Sequence, residues 1–370
     1  MHYAQRWLAA GWVALSGVLV AGPLARADVL IGAATVFAGP EAQTGEQVLR
    51  GAQMAVEDLN AAGGVLGQKL KLSVVDDACE GSQAVAAAQK LVSEGVVFVV
   101  GHLCSAAAIP ASEVYEKAGV LEISPAATNP KLTEQGRDNV FRVIGRDDQQ
   151  GAMAADYIAH HWPNAKIAVV HDGTTYGEGL GTEMKTELNK AGVSEVLFES
   201  IIPGKADHPE LMARLQAAGV TVLFFGGYGV EAGILARNAH DMGLKIQFVG
   251  GDGLDTSEFI QVAGPAGEGA IFTAQADARR NPAAADVVGR FRDAGFEPEG
   301  ATLYTYAAVQ IWSQAVAKAQ TFKLDKVSAA MRDAEFGTAV GPVRFDAKGD
   351  LKRPTFAWYV WKEDGSAPIP

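Results

Sequence analysis

The sequence predicts an α/β protein made of two doubly wound parallel sheets. Three observations support this. Strand-like and helix-like segments alternate from Asp28 onward. The strand segments are continuous apolar runs, as expected of parallel strands buried on both faces. The rhythm also restarts near Phe141 to Gly145, and the chain is too long for one ordinary core.

The first strand spans Val29 to Val36. A helix follows from Gly45 to Ala61, with Val48, Ala52, Ala55 and Leu59 on one face and Arg50, Gln53 and Glu57 on the other; Gly63-Gly64 stops it. Leu70 to Val75 is the next strand, then a helix from Ser82 to Glu94 and a strand from Val96 to Val100. The set ends with a helix from Ala106 to Ala118 and a strand from Val120 to Ile123. The second set places helices at Gln149 to His161, Gly179 to Ala191, Leu211 to Ala218 and Val230 to Met242. Its strands are Ile167 to Val170, Val196 to Ile201, Val222 to Phe225 and Ile246 to Val249. The tail has helices at Ala285 to Ala294 and Thr302 to Lys318, then strands at Pro342 to Phe345 and Phe356 to Trp361. Such a tail is expected to cross back and complete both units.

Residues 1–27 read as a cleaved export signal. Arg6 supplies a positive start, Leu8 to Val20 is apolar but broken by Gly11 and Gly17, and Ala25-Arg26-Ala27 suits a cleavage site before Asp28. The whole chain carries 31 Lys and Arg against 43 Asp and Glu, a net charge of −12. Removing the leader takes away two bases and no acid. An acidic surface argues against nucleic acid or anionic lipid as partner. No later run is long enough to span a bilayer. The two cysteines, Cys79 and Cys104, favour a disulfide in an exported protein, closing a loop worth about 3 kcal/mol. Two free thiols or a metal site are the alternatives, but a metal needs more soft ligands than this neighbourhood offers.

Two small-residue loops, Gly101-His102-Leu103-Cys104-Ser105 and Ser124-Pro125-Ala126-Ala127-Thr128-Asn129-Pro130, each follow a short apolar strand. They expose N–H groups and hydroxyls at the C-terminal edge of a parallel sheet, where α/β folds bind ligands. That suits a small carboxylate and a receptor more than a catalyst. With these loops stand Gly39-Pro40, Asp58-Leu59-Asn60-Ala61-Ala62-Gly63-Gly64, Asp76-Asp77-Ala78-Cys79, His171-Asp172 with Tyr176-Gly177-Glu178-Gly179, Gly226-Gly227-Tyr228 and Lys348-Gly349-Asp350-Leu351. In these motifs, over essentially all of residues 28–370, the chain resembles the periplasmic branched-chain amino-acid (leucine/isoleucine/valine) binding proteins of ABC transporters.

The resemblance implies a type I periplasmic binding protein with three interlobe crossovers. Lobe one would be 28–146 plus 275–354, and lobe two 147–274 plus 355–370. It implies a monomeric periplasmic receptor for a neutral L-amino acid that closes about a hinge and docks on a membrane permease. No cofactor, metal or nucleic acid is implied. The ligand carboxylate would meet Ser105 and Thr128 within the Ala126-Ala127-Thr128 loop. Its ammonium would meet the carbonyl of Ala126, the hydroxyl of Thr128 and Asp252, with Tyr176 and Tyr228 closing over it. The family usually has Glu where Asp252 stands and commonly an aromatic residue where Thr44 stands. Losing that ring frees space and adds a hydroxyl, so a larger or more polar neutral amino acid also fits.

Each residue has a plainer structural alternative: Ser105 as a helix cap, Thr128 and Asp252 as turn residues, the tyrosines as packing groups. His102 reads as a core residue beside the cysteines. An enzyme finds little support, because G-x-S-x-G and H-E-x-x-H are missing and Gly177-Glu178-Gly179-Leu180-Gly181 breaks the dinucleotide spacing. A receptor of the same fold for another small carboxylate or amide, or a ligand sensor for a signalling protein, remains the alternative.

Overall fold

The computed structural model describes residues 27–354, 356–363 and 365–369, so the expected leader lies outside the described residues except for Ala27. The first unit alternates β1 (Val29–Thr35), α1 (Ala42–Ala61), β2 (Leu70–Asp76), α2 (Gly81–Glu94), β3 (Phe98–Gly101), α3 (Ser105–Ala118), β4 (Leu121–Ser124), the short α4 (Lys131–Glu134) and β5 (Val140–Arg142). Its strands form a five-stranded sheet in the order β2-β1-β3-β4-β5, parallel throughout. The nearly unbroken burial of β1, β3, β4 and β5 explains their continuous apolar sequences.

Helix α5 (Asp147–His161) leads into the second unit: β6 (Ile167–His171), α6 (Thr175–Lys190), β7 (Leu197–Ser200), α7 (Pro209–Ala218), β8 (Val222–Gly226), α8 (Gly229–Asp241), β9 (Gln247–Gly250), α9 (Ser257–Ala263) and β10 (Ile271–Gln275). The chain then returns to cover the first sheet with α10 (Ala285–Asp293), α11 (Ala301–Ala319) and α12 (Leu324–Asp333). The hairpin β11 (Glu335–Thr338) and β12 (Gly341–Arg344) follows. A third crossing delivers β13 (Phe356–Lys362) and β14 (Gly365–Pro368) to the second sheet. That sheet runs β14-β13-β10-β9-β8-β6-β7; β13 pairs antiparallel with both β10 and β14, and the other five strands are parallel.

The two expected tail strands therefore separate. Phe356 to Trp361 extends the second sheet, whereas Pro342 to Phe345 pairs with β11 in a hairpin of its own, with a single further bridge from Phe345 to Leu351. Helix α6 begins four residues earlier than its glycines suggest. Thr174 caps it, its hydroxyl accepting the Gly177 N–H at 3.0 Å. Positions 177 and 179 are glycine because the helix approaches its neighbours closely there. A Cβ on Gly177 would lie 2.5 Å from the Gly226 carbonyl, and one on Gly179 2.4 Å from Asn129 Nδ2.

The first core joins Ile31, Phe98 and Phe141 of the sheet to Phe291, Trp312 and Phe345 of the returning segment. Phe98 stacks on Trp312 with ring centroids 4.9 Å apart. The second core packs Phe225, Phe259 and Phe272 around Trp361.

Candidate ligand-binding cleft

The C-terminal edges of the two sheets enclose a cavity of about 460 Å³. The first unit lines it with Glu41, Thr44, Ser105 and Ala126; the second brings Tyr176, Tyr228, Asp252 and Asp255. Hydrogen bonds cross between the units, from Gln43 Nε2 to Ser257 Oγ (2.9 Å) and from Asn129 Nδ2 to the Thr175 carbonyl (2.8 Å). Both units thus touch across the cleft.

On the first wall, Ser105 is the opening residue of α3, where a helix leaves N–H groups without intrahelical partners. The disulfide Cys79–Cys104 fixes the chain immediately before it and confirms the expected pairing. His102 is core, its Nδ1 2.6 Å from Asp77 Oδ2 and its Nε2 3.1 Å from the Tyr115 hydroxyl. Ser105 Oγ accepts the Asn129 N–H at 3.3 Å, which joins the two small-residue loops. Ala127 and Thr128 do not line the cavity. The Ala127 N–H is given to Ser124 Oγ and its carbonyl accepts from Arg142 Nη1. Thr128 is buried and its side chain is turned to the Asp147 carboxyl.

The second wall is built around Asp252, just after β9. Its Oδ1 accepts from Gln150 Nε2 (2.9 Å) and from the Tyr176 hydroxyl (2.7 Å). Gln150 Oε1 in turn accepts the Asp252 N–H and the Thr273 hydroxyl, and the Tyr176 oxygen accepts the Gly253 N–H. The carboxyl is thus held in one orientation. Tyr176 and Tyr228 pack with ring centroids 5.1 Å apart, and Tyr228 reaches the apolar clusters of both units. Asp172 accepts the Tyr228 N–H and sets the base of that tyrosine.

Burial dominates the electrostatics. It raises the Asp252 carboxyl and, with help from Asp252, that of Asp147, which keeps Oδ2 without a hydrogen-bond partner. Burial, then Asp252, pushes Asp255 up to about 7. Burial, then Glu258, Glu231 and Asp172, pushes Glu41 up to about 8. Apart from Arg279 and Arg280, which pair with Asp277, the charged side chains that line the cavity are carboxyls, an arrangement that suits a cation. The helix start at Ser105 supplies the complementary donors. Together they match the two ends of a zwitterion.

Sequence reasoning missed Glu41, Asp147, Gln150 and Asp255. Glu41 precedes Thr44 by one helical turn, and Asp147 opens a helix directly after β5; both placements put an acid at a sheet edge. Gln150 left no local signal.

The periplasmic binding protein profile matches residues 28–366. The chain belongs to the periplasmic binding protein family. It is 47% identical to the Leu/Ile/Val-binding protein homolog 1 of Brucella melitensis, over 95% of each chain. Among solved structures it is similar to the leucine binding protein LivK of Thermotoga maritima (TM-score 0.84, 26% identity, 92% of this chain and 98% of that one). It is also similar to the branched-chain amino acid transporter substrate binding protein LivJ of Streptococcus pneumoniae in complex with isoleucine (TM-score 0.80, 25% identity, 92% and 99%). This periplasmic binding protein thus has a substrate-binding fold rather than that of an enzyme family. Among the described residues no helix is long and apolar enough to cross a membrane, and no cluster of ligating side chains could hold a metal.

Proposed function

We propose that this periplasmic binding protein captures a neutral L-amino acid, leucine, isoleucine or valine, by closure of its two units and delivers it to an ABC-transporter permease. The observation that carries the reading is the opposition, across one enclosed cavity, of the α3 start at Ser105 and the oriented carboxyl of Asp252. The names of the relatives and the isoleucine in the pneumococcal protein support the same ligand class.

In this reading the ligand carboxylate sits against the Ser105 hydroxyl and N–H groups of the first turn of α3, beside Ala126. The ammonium meets Asp252, with the acidity of Asp147 behind it. Tyr176 and Tyr228 cover the ligand, and Thr44 faces its side chain. Ala127 and Thr128 support the first wall through Arg142 and Asp147. The units divide as 28–146 with 275–354 and 147–274 with 355–370. Sheet membership supports this division, since β13 and β14 join the second sheet. The protein acts as a monomer in the periplasm after removal of residues 1–27, and it performs no catalysis.

The deciding experiment is a thermal-shift panel on ligand-stripped residues 28–370 with all L-amino acids, D-leucine, and leucine analogues lacking the amine or the carboxylate. A ligand at about a thousand times its dissociation constant stabilises by about 4 kcal/mol, which moves the midpoint by several degrees. Shifts with the branched-chain amino acids, lost in both analogues, support the assignment. No shift with any amino acid overturns it.

A further inference from the structure

The cleft contains more acid than one α-ammonium needs. Asp252 and Asp147 form one centre, already oriented by Gln150 and Tyr176. Glu41 forms a second, on the opposite wall. It stands at the start of α1, one turn before Thr44, and residues three apart on a helix share a face. Both line the cavity. Among the described residues the Glu41 carboxyl has no hydrogen bond and no ion pair. The charged groups that face it are Glu258 of α9, Glu231 of α8 and Asp172 after β6, and all three are acids. The Tyr228 hydroxyl lies in the same field. In this arrangement a carboxyl of the first unit faces three of the second; the arginines that line the cavity, Arg279 and Arg280, pair with Asp277, and among the described residues none acts on Glu41.

We propose that the side-chain end of the cleft, walled by Glu41 and Thr44, accepts an L-amino acid whose side chain ends in an ammonium or guanidinium group. This rests on the amino-acid reading of the same site and widens it from neutral to cationic ligands. A distal cation supplies the charge that the acidic group lacks, and a charge-assisted hydrogen bond to Glu41 is among the stronger contacts available in an enclosed space. A neutral ligand leaves the group uncompensated, and closure over it then requires a proton on Glu41. That requirement is consistent with the carboxyl being held up to about 8. The two ligand classes therefore differ in proton uptake as well as in contacts.

The test is calorimetry on ligand-stripped residues 28–370 with L-leucine, L-lysine and L-arginine, in two buffers of different ionisation enthalpy, for the wild type and for Glu41→Gln. We expect lysine or arginine to bind the wild type without proton uptake, and leucine to bind with it. In Glu41→Gln the cationic ligand weakens by about tenfold or more, while leucine tightens and its buffer dependence fades. Opposite signs for the two ligands are what a merely misfolded variant would not give. Leucine binding without lysine or arginine overturns this inference alone, as does a cationic ligand indifferent to Glu41→Gln. Binding of none of the three overturns the amino-acid reading and this inference with it.

Discussion

Arg146 and Asp147 are neighbours in the chain, yet each enters a buried polar cluster of the opposite kind. Arg146 Nη1 lies 2.8 Å from Asp350 Oδ2, and Arg142 Nε lies 2.6 Å from Asp350 Oδ1. Thr133 donates to the same carboxylate and accepts from Arg142 Nη2, whose guanidinium also serves the carbonyls of Ala127 and Asn129. Every charge there has a counter-charge supplied by the chain. Asp147 instead joins Asp252, and among the described residues neither forms an ion pair, Arg142 acting on Asp147 only through its field. The first cluster is closed and structural. The second is left open on the side of the cavity, where the ammonium of the proposed ligand would meet it.

Substitutions in the two clusters should therefore separate stability from affinity. The largest effect is expected from Arg142→Met. It strands Asp350 with a single guanidinium and removes donors from two loop carbonyls, and breaking a buried pair costs about 3 kcal/mol or more. Urea denaturation without ligand should show it; a loss under about 1 kcal/mol would mean that Arg146 alone neutralises Asp350. Asp252→Asn should do the reverse. Ligand affinity falls by about tenfold or more, near 1.4 kcal/mol, while the ligand-free melting midpoint stays level or rises because a buried charge has gone. Unchanged affinity by calorimetry would remove Asp252 from the ammonium site.

The third effect depends on pH. Burial, then Glu258, Glu231 and Asp172, holds the Glu41 carboxyl up to about 8 here, so a form in which it is solvated would bind the proton less tightly. For a neutral ligand this contribution is complete below the ordinary carboxylate range and is lost as pH rises through about 8. Leucine affinity should fall by up to about tenfold per pH unit between about pH 5 and about pH 8 and then level off. Asp255, held up to about 7, adds in the same direction. A slope equally steep in Glu41→Gln would assign the effect to other acids. The smallest effect is expected for Ser105→Ala, about 1 kcal/mol of affinity for one neutral hydrogen bond. A leucine analogue without its carboxylate should not feel that substitution.

Most of the fold was legible because its signals are local. The buried strands are short apolar runs, and most expected helices end within a residue or two of their observed limits. What was missed depends on contacts distant in sequence. Strand β14 reads Gly-Ser-Ala-Pro, with no β-branched residue, and exists because β13 offers its free edge. Helix α12 carries its buried Val327 and Met331 among charged residues, so its apolar stripe is thin. The cleft divides in the same way. Ser105, Ala126, Tyr176, Tyr228, Asp252 and Thr44 stand in recognisable motifs and all line the cavity. Thr128 follows such a motif too, yet its hydroxyl is turned to Asp147. Gln150 meets Asp252 across 102 residues of chain, a partnership that no local pattern announces.

The three passages of the chain between its sheets also impose an order on synthesis. The first core needs Phe291, Trp312 and Phe345 against Ile31, Phe98 and Phe141. A growing chain that has already made all five strands of the first sheet still lacks the helices that cover it. That sheet waits, with apolar surface uncovered, while the strands β6 to β10 of the second sheet emerge. The part made first is thus among the last to be finished, and the protein stays unfinished, and open to a chaperone or a translocation channel, until nearly its last residue has appeared.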